Sequence, residues 1–239
     1  MTPARGDRHT AGRTDGRAGR RTADRTDGRV ERGNQTRRLI LERSVAIASV
    51  EGLDGLSLGR LASELDLSKS GVFALFGSKE DLQLATIRAA ARIYVDHVVR
   101  PAGELPPGLG RLWHVCTSWI AYSRERVFPG GCFFATVSAE YDAREGRLHD
   151  TVAAARTDWV AFLEQTVRDA REAGEVEEAA DVPQLVFEIV ALLEAANAAS
   201  VLHDDVACYD MAARGVLRRL RDVATDASLL PASPQIPAV

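Results

Sequence analysis

Apolar residues recur at helical spacing from Gln35 to about Thr225, and no stretch alternates with the period of two that a half-buried strand requires. Ile40, Ser44, Ile47 and Ala48 fall at i, i+4, i+7 and i+8, one face of an amphipathic helix ending near Gly52. Leu58, Leu61, Ala62 and Leu65 make a second, shorter stripe behind Ser57, a good N-cap. A two-residue link, Asp66-Leu67, leads to Ser68, another cap, and a third helix through Phe76. Gly77 suits the position past a helix end where φ is positive. Ser78, three residues before Asp81, caps a fourth helix that reaches about Val99 and stops before Pro101.

Longer helices follow. One runs from Pro106-Pro107 to about Val127, and Pro129-Gly130-Gly131 breaks the chain. Others are expected over about 132–143, 148–173, 183–202 and 206–225. The tail from Ser228, with Pro231, Pro234 and Pro237, is expected to be unstructured. The fold class is all-α with about nine helices: three short ones over 34–80, then a larger helical domain over 81–226, then a tail over 227–239.

Residues 1–33 are Gly, Arg, Thr and Asp with almost no apolar side chains, a composition that cannot bury enough surface to offset ordering. They read as a disordered, Arg-rich arm. Arg13-Thr14-Asp15-Gly16-Arg17 recurs as Arg25-Thr26-Asp27-Gly28-Arg29. Such an arm is either attracted to phosphates or a bland spacer, an extension ahead of a start at Val30.

Charge changes the picture only when it is located. The chain carries −4 overall, yet residues 1–38 hold eleven Arg against five acidic residues, a net of +6; the remainder carries −10. No apolar run approaches the roughly 20 residues of a membrane span, and the Arg-rich N-terminus is unlike a secretory signal, so the expected location is cytoplasmic, with no membrane partner. Cys116, Cys132 and Cys208 are odd in number and widely spaced, which suits buried, inert thiols. Neither GxGxxG, P-loop, HExxH nor GxSxG occurs, and the five His are scattered. No catalytic residue, metal site or cofactor is assigned.

Two short helices joined by a tight turn have the spacing of a helix-turn-helix, whose second helix enters the major groove. On that helix Val72 and Phe76, four apart, face the core with Leu67. Lys69, Ser70, Phe73 and Ala74 occupy another face and are free to meet DNA.

The stretch from Arg37 to Leu82 resembles the DNA-binding domain of the TetR family. The matching features are Ile40, Gly52, Ser57, Leu61-Ala62, Leu67-Ser68-Lys69, Phe73, Phe76 and Ser78-Lys79-Glu80-Asp81-Leu82, in order and at the family's spacing. The resemblance implies DNA contacts by Ser57, Ser68, Lys69, Ser70, Phe73 and Lys79, with Arg37 and Arg38 reaching the flanking backbone. Phosphate contacts would fix register and base contacts set preference. Four positions depart from the family pattern. Asp66 stands where Gly is usual in the turn, so it must take a left-handed conformation or shift the turn. Phe73 lacks a common hydroxyl, Leu75 replaces a polar residue, and Ala48 replaces an aromatic.

Over 81–226 the resemblance implies ligand binding and dimerisation. The small-residue side of the penultimate helix, Ala191, Ala195, Ala198 and Ala199 with Leu202, permits close approach of a partner's helix. An intramolecular helix contact is the alternative. Aromatics Tyr94, Trp113, Trp119, Tyr122, Phe133, Phe134, Trp159 and Phe162, with His97, His114, Glu194 and Asn197, are candidates for an effector pocket suited to an apolar or aromatic small molecule. The expected activity is that of a transcriptional regulator, most simply a repressor released from a palindromic operator by such a ligand. A homodimer and double-stranded operator DNA are the expected partners. The alternatives are a DNA binder without ligand control, a helical protein-interaction module, and an enzyme with dispersed catalytic groups.

Overall fold

The computed structural model describes residues 16–237, with side chains from Glu31 onward. The chain divides into two compact units, Met1–Leu39 and Ile40–Val239. In the first, the described residues are helical from Gly16, where α1 (Gly16–Glu51) begins. Residues 1–15 of the expected disordered arm lie outside the described residues, whereas 16–33 are helical rather than unstructured. Once a helix is nucleated, each added residue brings its own backbone hydrogen bond, and Arg and Ala are good helix formers.

In the second unit the rest of α1 buries Ile40, Ser44, Val45, Ile47, Ala48 and Ser49. A 3-10 turn, Leu53–Gly55, leads to α2 (Leu58–Glu64) and α3 (Lys69–Phe76). The serines cap as their positions predict: Ser57 Oγ accepts from the Arg60 amide at 3.1 Å, and Ser68 Oγ from Gly71 at 3.1 Å. Asp66 turns the chain between the two helices with φ 53°, the left-handed answer to the missing glycine. Gly77 ends α3 at φ 79°. Ser78 then opens α4 (Lys79–Tyr94), accepting from the Asp81 amide at 3.0 Å while donating to its carboxylate at 2.6 Å.

The fourth helix does not stop before Pro101. It passes through a π turn, Val95–Val99, into α5 (Arg100–Gly103), with Pro101 in the first turn of α5. An amide missing there has no intrahelical partner to lose. Then come α6 (Leu109–Arg124), α7 (Phe133–Tyr141), α8 (Arg147–Glu172), α9 (Val182–His203) and α10 (Ala207–Asp222). Counting α4 and α5 as one helical run gives nine helices among the described residues, with no strand; a single isolated bridge joins Val176 and Ala224.

Two further expectations need correction. By length and composition α9 could cross a membrane, with a mean hydropathy of 1.8 over its apolar window. It is instead a core helix, burying Leu185, Val186, Ile189, Leu193 and Ala196. The C-terminal tail also packs. Ala227–Leu229 forms a 3-10 turn, Leu230 is buried, and Arg221 donates to the Pro231 carbonyl.

A polar cluster sits inside this apolar core, at the ends of α6 and α9. Asn197 Oδ1 accepts from Ser123 Oγ at 2.9 Å and from the Cys132 amide at 2.8 Å. Ser123 pairs with the Tyr209 hydroxyl at 2.6 Å, and Arg126 donates to Ser200 Oγ at 2.7 Å. Buried polar atoms are tolerable when satisfied in this way.

Candidate functional site

The α2–α3 pair presents a polar face built on an apolar one. Val72 and Phe76 are buried, and Leu67 packs against the same core. Lys69, Ser70 and Ala74 are exposed, and Phe73 leaves 57 % of its surface in solvent. Leu75 is half-buried against the core rather than on the exposed face. Ser57 and Ser68 are exposed, and each accepts the amide its cap requires. Arg60 braces α2, its guanidinium bonded to Glu51 and Glu64, with Arg43 joining at Glu64 at 2.5 Å. These pairs hold both carboxyls below the usual range. Arg37 and Arg38 belong to the first unit, where Arg37 is half-buried and Arg38 exposed.

Lys79 is exposed but not idle. Its Nζ donates to the Asp54 carbonyl at 2.9 Å, in the turn that precedes α2. That turn is gripped from several sides. Gln83 of α4 donates to the Leu53 carbonyl at 2.9 Å. From α7, the Glu140 carboxylate accepts the Leu53 and Asp54 amides at 2.6 and 2.8 Å. Arg144, just past α7, meets the Asp54 carboxylate at 2.7 Å and holds it below its ordinary range. Nearby, Gly130 donates to Ser49 Oγ and Thr136 to the Ser49 carbonyl. No periodicity in the sequence singles out Asp54, Glu140 or Arg144, because pairings across some 90 residues leave no local pattern.

Both gripping helices also wall a cavity of about 300 Å³. Of the residues expected at a pocket, Tyr94, Trp119, Phe134, Trp159, Phe162 and Glu194 line it. Tyr94 meets Trp159 and Phe134 edge to face, at 5.3 and 5.8 Å between centroids, and Trp159 stacks on Phe162. Val95 and Val99, from the π turn, line it too, as do Cys132, Val190 and Leu193. Arg156 and Asp158 bring charge, and Arg156 is paired with Glu194. The remaining candidates stand elsewhere. Trp113, Tyr122 and Phe133 are core side chains off the lining, His97 and His114 are half-buried away from it, and Asn197 is committed to the buried polar cluster. All three thiols are free and buried; burial pushes Cys116 up to about 12 and raises the other two, so none is poised as a thiolate.

On α9 a stripe of Phe187, Ala191, Ala195, Ala198 and Leu202 faces solvent, with Phe187 69 % and Leu202 77 % exposed. Val206 and Met211 continue it onto α10. Ala199 departs from the expectation, being half-buried against its own core.

Among the described residues, a capped helix-turn-helix stands ahead of a larger helical domain enclosing an apolar cavity, the architecture of a helical DNA-binding regulator. Comparison with family models makes this specific. Residues 40–86 match the model of bacterial regulatory proteins of the tetR family, and residues 108–216 match the tetracyclin repressor-like C-terminal domain. The chain belongs to the TetR family of transcriptional regulators. Among solved structures, it is similar to a TetR transcriptional regulator from Chloroflexus aurantiacus, with 20 % identity, TM-score 0.75, and 81 % of this chain and 98 % of that one covered. A TetR-family regulator from Cytophaga hutchinsonii gives 21 %, 0.73, 82 % and 98 %. AibR, solved with isovaleryl coenzyme A and operator DNA, gives 17 %, 0.60, 78 % and 97 %. At these identities the likeness is one of fold. No curated protein sequence matches the chain.

Proposed function

We propose that this regulator binds a palindromic operator as a homodimer and leaves it when a small, largely apolar ligand enters the cavity walled by Tyr94 and Trp159. The observation that carries the DNA half is the face of α3. Lys69, Ser70 and Phe73 stand in solvent while Val72 and Phe76 anchor the helix beneath them. Lys69 offers a charge to phosphate, Ser70 allows close approach, and the Phe73 ring suits a thymine methyl. Ser57, Ser68 and Lys79 supply further backbone contacts.

Dimerisation is supported by the bare apolar stripe of α9. A monomer gains nothing by exposing Phe187 and Leu202, whereas a second copy packed on the same stripe buries both and pairs two recognition helices for successive major grooves. Ligand control is supported by the double duty of α4 and α7. Each contributes a wall of the cavity, and each holds the Leu53–Asp54 peptide in front of α2. A ligand preferring one setting of these helices thereby biases the reading head, by as much as its affinity differs between the two settings. AibR, a chain of similar fold, was solved with both a small molecule and operator DNA, which supports separate sites for the two but not release itself.

The test is a footprint of the purified protein on DNA flanking its own gene, across a salt series. Protection of a two-fold symmetric site by two copies, with affinity falling steeply in salt, is expected. Salt-insensitive or non-symmetric binding sinks the reading.

A further inference from the structure

The cavity borders a hydrogen-bonding demand that the protein leaves unmet. Tyr94 lines it, and its ring packs edge to face on its neighbours, so the phenol is presented at the cavity wall. Edge to face against Tyr94, at 5.4 Å between centroids, lies Tyr122, wholly buried and without a partner for its hydroxyl. The Cys132 thiol and the Phe133 backbone are the polar groups beside Tyr122. Most other core hydroxyls pair, among them Ser44, Thr86, Thr117, Ser123, Thr166 and Tyr209, while Ser138 Oγ is a second buried hydroxyl without a partner. At this cavity a phenol on the lining, Tyr94, stands against a buried one behind it, Tyr122, and an unpaired buried hydroxyl is costly until something meets it.

Resting on the reading of this cavity as the effector site, we propose that its ligand is a neutral molecule with an apolar, ring-bearing body and a carbonyl-type acceptor that takes the Tyr94 proton, Tyr122 standing behind as a second donor. The body is set by the walls, where Trp119, Phe134, Trp159 and Phe162 offer ring faces and edges. Neutrality is set by the charges. Arg156, the only cation on the lining among the described residues, is already held by Glu194, so a ligand carboxylate would find its partner taken and would face Asp158 as well. A cation would meet the repulsion of Arg156 on the same lining that carries the carboxylates of Glu194 and Asp158. Burial keeps both phenols protonated, hence donors.

Four probes of one shape separate these chemistries: 1-acetylnaphthalene, 1-ethylnaphthalene, 1-naphthoate and (1-naphthylmethyl)trimethylammonium. Binding of each to the full chain is measured by equilibrium dialysis without DNA, and operator release is measured separately. The ketone is expected to bind about tenfold tighter than the hydrocarbon and tighter than either ion. Tyr94→Phe should erase the ketone's advantage while leaving the hydrocarbon unchanged, with Tyr122→Phe reducing it in part; thermal melts verify that both variants fold. Equal affinity of ketone and hydrocarbon, a charged probe binding tightest, or a Tyr94→Phe variant that keeps the preference overturns the inference while the cavity remains a ligand site. No binding by any probe removes the inference and the effector-site reading together. Binding as expected without operator release upholds the ligand chemistry and removes only the regulatory mechanism.

Discussion

Glu140 accepts the Leu53 amide at 2.6 Å, tying α7 to the turn that carries the helix-turn-helix. Its other oxygen takes the Asp54 amide, so both carboxylate oxygens are in use. Glu140→Gln would turn an NH2 group toward one of these donors. The expected loss is about 1–3 kcal/mol of stability, seen as a lower urea midpoint at an unchanged slope. Under the proposed mechanism the same variant binds ligand normally but loses part of the ligand's effect on operator affinity. An unaltered midpoint would show the clasp to be dispensable.

Gly130 is packed against backbone rather than side chain. A Cβ there would stand 1.8 Å from the Ser49 carbonyl oxygen, which cannot swing aside. Gly130→Ala should therefore cost about 3 kcal/mol or more, while Gly103→Ala, with nothing within 4 Å, serves as the neutral control in thermal denaturation.

Lys69→Ala should weaken operator binding without changing the melting temperature, because the side chain is exposed. If it meets a phosphate, the slope of log affinity against log salt falls by about 1, and the loss is similar for all sequences. A loss confined to one base position would instead assign Lys69 to base reading.

Leu202→Glu places a charge on the most exposed apolar side chain of α9. Sedimentation is expected to show a shift from dimer to monomer with helicity intact, and operator affinity should fall with it. A variant that remains dimeric would move the interface elsewhere.

Acid should loosen the same turn through Asp54. Arg144 lowers its pKa below the ordinary 3.8 in the folded state. Its contribution is thus present above that ordinary value and is lost as pH falls through the lowered one. Asp54→Asn is expected to be less stable than the parent near neutrality and to converge with it only below about pH 4.

Local chemistry made much of this legible. Ser57, Ser68 and Ser78 announce three helix starts because a capping hydroxyl acts within three residues, and Gly77 announces an end for the same reason. Val72 and Phe76 reveal the inner face of α3 by spacing alone. The aromatic run finds much of the cavity, since rings of that size are buried together. What stays hidden is whatever depends on partners distant in sequence. Asn197 looks like a pocket residue until Ser123 and the Cys132 amide claim it. Arg156, Asp158 and Cys132 give no sign of lining anything. Pro101 reads as a stop because a sequence does not reveal that a π turn will carry it into a first-turn position.

The polar knot around Asn197 has a consequence for how this protein can change. Greasy surfaces slide over one another with little penalty, but a shift of α9 by one turn would strand Asn197 and take Ser200 away from Arg126. The α9–α10 hairpin accordingly has a single seating on the body of the protein. Its outer side can drift in sequence, even exchange one mate for another, while the angle at which it offers itself stays fixed from within.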